Sequence, residues 1–159
     1  MPDPRALLAA YDELVALYSD AGVRAWTVWV VPGDEEVAAG LQARGHALDG
    51  SPSMMVARMD EIDLSPDDAL RLDPSPSWPV LGTLNDRAYG LPAGTFGQVL
   101  AGMRDPWMRV FVALLDGDPV AGLATHEDPE GDCGLAFVAT VPEARGRGLA
   151  GALVRHALR

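Results

Sequence analysis

The chain contains no lysine. All twelve of its basic residues are arginine, set against 23 acidic ones, for a formal net charge of −11. With the abundance of Ala, Gly and Pro, the all-arginine usage reads as the mutational bias of a GC-rich genome. The acidic balance argues against nucleic acid as a partner, because phosphate binding needs a basic stripe. It favours a cationic ligand through electrostatic steering. Cys133 is the single cysteine, which excludes an internal disulfide and any multi-cysteine metal site. It opens an apolar stretch and reads as a buried structural thiol. His46, His126, His156 and Cys133 show no metal-ligand spacing, so no metal is expected. No apolar run approaches the ~20 residues of a membrane span. The opening Met-Pro-Asp-Pro-Arg lacks the basic-then-apolar form of a signal peptide, so a cytoplasmic protein with no membrane partner is expected.

With 159 residues, 48% of them hydrophobic, and a mean hydropathy of +0.07, the chain is long and apolar enough to fold around a core. Its most informative stretch is the last. Leu135-Ala-Phe-Val-Ala139 reads as a buried strand, and Pro142 breaks it. A loop rich in Arg and Gly follows, then a helix with Leu149, Leu153, Val154, Ala157 and Leu158 on one face. The first N–H groups of such a helix have no partner within it and carry the positive end of the dipole, which makes an anion site. Gly146, Gly148 and Gly151 let an anion come close to the backbone. No Gly-Lys-Ser/Thr follows, so the loop is not a Walker A motif, and it is not GxGxxG either.

At Arg145-Gly-Arg-Gly148-Leu-Ala150 the sequence resembles the R/Q-x-x-G-x-G/A signature of the GNAT N-acetyltransferases, with the strand and Pro142 that usually precede it. The resemblance implies an α/β fold with a mixed, mostly antiparallel sheet flanked by helices. It implies acetyl-CoA as cosubstrate and a small amine as acceptor. Val138, Thr140, Arg145, Gly146, Arg147, Gly148, Ala150 and Gly151 would form the coenzyme site, with the pyrophosphate on the loop amides.

Taken in order, the chain reads as follows. Asp3-Pro4 starts a helix through about Asp20, with Leu7, Leu8, Tyr11, Leu14, Val15 and Tyr18 as one stripe and Gly22 as its stop. Ala25 to Val31 reads as a strand. Asp34 caps a helix carrying Val37, Ala38 and Leu41, ended near Gly45. Two short strands are expected at His46–Leu48 and Met54–Met59. Residues 61–77 form a linker with a short strand at Ala69–Leu72. Then come a helix at Trp78–Tyr89 with Val80, Leu81, Leu84 and Ala88 inward, and a capping box Thr95-Phe-Gly-Gln98 before a second helix. Met108–Leu115 and Pro119–Thr125 flank Asp116-Gly117, a hairpin signal. A loop at His126–Gly131 precedes the strand at Cys133–Thr140.

Residues 78–159 thus resemble the first half of a GNAT domain, and the chain ends on the coenzyme helix. Residues 1–60, read as helix–strand–helix–strand–strand, resemble a second half, as in actinobacterial GNAT proteins with such a front. Either the chain is cut short, or the two halves close one fold, permuted within one chain or exchanged in a homodimer. Ala25–Val31 would then lie parallel to the coenzyme strand, with Trp26 and Trp29 both buried. Leu41-Gln-Ala-Arg-Gly45-His46 is similar to the family's late Y-x-x-x-G-F segment. Leu41 stands where the family's proton-donating Tyr is usual, and it cannot donate. A backbone N–H around Val138 to Thr140 would polarise the thioester carbonyl, and His126, Glu127 and Asp132 are the base candidates. Tyr89 reads as packing. Two functions stay open at this point: acetyl transfer, or a non-catalytic or truncated GNAT-like protein that binds coenzyme A or a partner without turnover.

Overall fold

The computed structural model describes residues 5–51 and 55–159. The expected helix start at Asp3-Pro4 and the strand start at Met54 lie outside the described residues. The chain divides into two units, Met1–Val56 and Ala57–Arg159.

In the first unit the amphipathic stripe folds as α1 (Arg5–Ala9) and α2 (Tyr11–Asp20) with a turn at Ala10, rather than as one helix. Gly22 ends α2 at φ +73°, and the Val23 N–H reaches back to Tyr18 O at 2.8 Å. Only a residue without a Cβ takes this left-handed position at no steric cost. In α3 (Glu35–Gln42) Val37 and Leu41 are buried. Asp34 sits at its N-cap position, but its carboxylate makes no capping bond, contrary to the expectation. Trp26 packs against Tyr18 and His46, with ring centroids 5.1 and 5.0 Å apart, and Tyr11 Oη lies 3.0 Å from His46 Nε2.

The expected strands of this unit do not form. Ala25–Val31, His46–Leu48 and residues 55–58 are in no ladder, and Met59–Glu61 is a 3₁₀ turn. A strand is defined by its partner, and an apolar, β-prone run without one stays merely extended. Among the described residues Ala25–Val31 joins no ladder, and the sheet of the second unit has Cys133–Thr140 as its last strand. Nor are Trp26 and Trp29 buried together. Burial alternates, with Trp26, Val28 and Val30 partly covered and Trp29 77% exposed. Residues three apart in an extended chain point to opposite faces.

The second unit holds a four-stranded antiparallel sheet: β1 (Arg71–Leu72), β2 (Met108–Leu115), β3 (Asp118–Glu127) and β4 (Cys133–Thr140), in that order. Asp116 and Gly117 join β2 to β3 with φ of 53° and 91°, the doubly positive geometry that a two-residue hairpin demands. β3 is apolar on both faces, and period-2 alternation divides its side chains between two layers of helix. On one face Val120 and Ala124 meet Leu81, Leu84 and Leu100 of α4 (Trp78–Tyr89) and α5 (Thr95–Ala101). On the other, Ala121 and Leu123 meet Leu153 of α6 (Leu149–Ala157).

The start of α5 departs from expectation. Thr95 Oγ1 donates to Pro92 O rather than capping the helix, and the N-cap is Gly94. The cap comes from α4 instead: the carboxylate of Asp86, only 3% exposed, accepts from Gly94 N–H and Phe96 N–H at 2.8 and 2.7 Å. Two glycines set the spacing of this helix pair, since a Cβ on Gly82 would lie 2.6 Å from Gly97 Cα. Gly82→Ala is expected to destabilise the fold by about 1–3 kcal/mol through overpacking, measured by urea unfolding. A stability equal to wild type would show that the helices part at no cost.

Candidate functional site

The ladder runs one residue past β4, where buried Val141 donates to Val120 O at 2.9 Å. Pro142–Ala144 then makes a single 3₁₀ turn anchored by buried Ala144. Gly146 and Gly148 follow with φ of +74° and +75°, and Gly148 is the N-cap of α6. A glycine offers no side-chain oxygen to its helix, and no cap bond is made there. Ala152 N–H is the first to close on the helix, onto Gly148 O at 3.0 Å. The N–H groups of Leu149, Ala150 and Gly151 come before it. These residues, with Thr140 and Ala144 to Gly148, line a cavity of about 230 Å³. Open space in front of Gly146 and Gly148 keeps it accessible, as a Cβ there would meet nothing within 4 Å.

The two arginines of the loop do different work. Arg145 Nε donates to Thr140 O at 3.1 Å and its Nη2 to Ala88 O at 2.6 Å, so it ties the loop to the end of β4 and to the last turn of α4. A cation at a helix C-terminus also meets the negative end of the dipole. Arg147 lines the same cavity, is exposed, and makes no hydrogen bond or ion pair among the described residues. Arg87 of α4 pairs with Glu143 in the 3₁₀ turn, a further tie between the two.

β4 is not regular. Gly122 faces Ala139 and Ala124 faces Ala136, so Leu123 alone stands against Phe137 and Val138. This is a β-bulge. Phe137 sits at φ +55°, a backbone position that costs a non-glycine residue ~1–3 kcal/mol. Its ring is held edge-on by Trp78 and Phe96 at 6.5 and 6.1 Å. Its carbonyl accepts from Nδ2 of Asn85 at 3.1 Å, and the Val138 carbonyl accepts from Tyr89 Oη at 3.2 Å. Sequence reasoning missed Asn85, Asp86 and this use of Tyr89. The available signal was Asn85 itself, an amide in line with the apolar positions Leu81, Leu84 and Ala88.

The base candidates lie elsewhere on the sheet. His126 and Glu127 belong to the end of β3 rather than to a loop. His126 Nε2 is 3.6 Å from Asp105 Oδ2, and Glu127 pairs with Arg109. Asp132 is in the β3–β4 loop, its N–H on Asp128 Oδ1 at 3.0 Å. Gly134, opposite His126, is ~20 Å along β4 from Thr140 at about 3.3 Å per residue. The candidates therefore do not line the cavity; they stand at the far end of β4, beyond the bulge. Cys133 is half-buried, and its burial pushes the thiol pKa up against the opposing pull of Arg109, which makes it a poorer nucleophile. Among the described residues no group of three or more His, Cys, Asp or Glu could hold a metal, and no helix is long and apolar enough to cross a membrane.

Residues 69–159 match the profile of the Acetyltransferase (GNAT) family. The chain belongs to this family. The matched span holds the four-stranded sheet described above, with α4, α5, the glycine loop and α6. It supports acetyltransferase activity in general, and GNAT proteins as a rule use acetyl-CoA. No curated protein matches the chain.

The division between the two arginines is measurable. Arg145→Ala is expected to lower unfolding stability by roughly 1 kcal/mol, reduced by its exposure, while Arg147→Ala leaves the urea midpoint unchanged. Equal midpoints for both variants would remove the structural role of Arg145.

Proposed function

We propose that this protein is an acetyl-CoA-dependent N-acetyltransferase acting on a small amine. One observation carries the reading: the cavity at 140–151, where three helix-opening N–H groups and the unengaged Arg147 converge on open space. Such a group of donors suits a pyrophosphate. In this reading Val138, Thr140, Arg145, Gly146, Arg147, Gly148, Ala150 and Gly151 form the coenzyme site. Arg147 contributes charge, and Arg145 holds the loop in shape. The bulge beside the cavity then supplies a backbone donor to the thioester carbonyl. The amine nitrogen forms a bond to that carbon, the carbon–sulfur bond breaks, and the thiol leaves with a proton. His126, Glu127 or Asp132 takes the proton that the amine gives up, through water where the distance requires it. The proton that leaves with the thiol is the one the amine gave up, passed on by that group or by water. The net charge of −11 steers a cationic amine toward the protein and disfavours nucleic acid.

Gly148→Asp tests the site. It places a side chain and a negative charge at a residue with φ +75°, on the lip of the cavity. Calorimetry is expected to show acetyl-CoA binding to the wild type and none to the variant, and equal affinity would refute the assignment. Binding also stabilises the folded chain, by about 2.7 kcal/mol at a hundredfold excess over Kd.

The base is tested by turnover against a panel of small amines. With His126 as base, His126→Ala is expected to lower the rate about a hundredfold or more across the pH–rate profile. An unchanged profile leaves Glu127 and Asp132. Coenzyme binding with no turnover on any amine would favour a protein that binds without catalysis.

A further inference from the structure

The bulge of β4 is held from one side by two polar side chains a helical turn apart on α4. Asn85 is only 1% exposed, and both hydrogens of its amide are committed, to Leu81 O at 2.9 Å and Phe137 O at 3.1 Å. Both partners are carbonyls, so the nitrogen must face them and the orientation of the amide is set by chemistry. Tyr89, 60% exposed, donates to the next carbonyl along, Val138 O, at 3.2 Å. A regular strand sends consecutive carbonyls to opposite edges, where neighbouring strands receive them. Here two in succession are received by one helix.

This has a consequence for the N–H groups. In a trans peptide the C=O and the following N–H point in opposite directions, and the described residues include no cis bond. Holding Phe137 O toward α4 therefore aims the Val138 N–H away from it. Val138 has no one-to-one partner on β3 and is 36% exposed. Asn85 thus sets the direction of this backbone donor, while Tyr89, on the Val138 carbonyl, pins the next peptide and so holds the same residue from its other side.

We propose that Asn85 and Tyr89 are positioning residues that fix the Val138 N–H as the donor to the acyl carbonyl of the bound coenzyme. The inference rests on the acetyl-CoA reading of the neighbouring cavity and adds the two side chains that make the bulge a rigid donor. It assigns them no direct contact with substrate. Their effect is confined to the acyl end, so affinity for coenzyme A lacking the acetyl group stays with the glycine loop.

The experiment uses acetyl-CoA labelled with ¹³C at the carbonyl, followed by NMR on the full chain, with calorimetry of unacetylated coenzyme A beside it. A hydrogen bond to the carbonyl moves its resonance downfield from the free position. The wild type is expected to show that displacement. Asn85→Ala is expected to lose more than half of it while binding coenzyme A within about twofold of wild type. Tyr89→Phe, a change at an exposed hydroxyl, is expected to lose a smaller part in the same direction. Full displacement in both variants would overturn the inference, as would wild-type protein that binds acetyl-CoA with its carbonyl at the free position. If Asn85→Ala does not fold, Tyr89→Phe decides alone. A wild type that binds no coenzyme A overturns the proposed function, and the inference with it.

Discussion

Backbone polar groups at an irregular point of a buried strand must find partners outside the ladder, and in β4 they find them on α4. The helix supplies Asn85 and Tyr89 to the bulge, the Ala88 carbonyl to Arg145, and Arg87 to Glu143. The strand, the turn after it and the glycine loop are thus all referred to one rigid element. Without these ties the bulge has no reason to keep Phe137 in a left-handed conformation. The cavity would also lose the arginine that holds its loop to the end of the strand.

The same helix is also a packing element, and the two duties fall on adjacent positions. Leu81 and Leu84 enter the face of the sheet, close enough that a Cβ on Gly122 would lie 2.8 Å from Leu81. Asn85 and Asp86 follow at once in sequence and turn to β4 and to α5 respectively. Both are buried, and both are satisfied by backbone groups, which is what makes their burial affordable in a dry setting. Thr125 is the contrast, a buried hydroxyl in β3 for which no partner is found among the described residues.

The legible parts of the sequence were those specified by local chemistry. Asp116-Gly117 demanded a hairpin, the apolar runs on either side became its strands, and Pro142 with the glycines after it marked the strand-to-helix passage. The helix at Trp78–Tyr89 appears over the expected residues. Ala25–Val31 was misread because strand propensity is only a preference for a half-covered surface, and the partner that would realise it cannot be seen in the run itself. The capping box at Thr95 failed for a related reason. Its signature is local, but Asp86 reached the same N–H groups from another helix. The cavity was legible because glycines and a helix start suffice to build it. The hold on the bulge was not, because it depends on a register shift that no single strand announces.

Residue 137 answers two demands that no amino acid meets equally. Its backbone sits where glycine is at ease and where asparagine or aspartate are tolerated, while its side chain fills a nest between Trp78 and Phe96 that only a large apolar group can fill. Glycine would relax the backbone and empty the nest. Leucine or isoleucine would fill part of the nest and keep or worsen the strain. None of these changes meets both demands. A change at Trp78 or Phe96 would therefore be felt in the backbone of β4 as well as in the core, because the ring they enclose sits on the residue with the unusual φ.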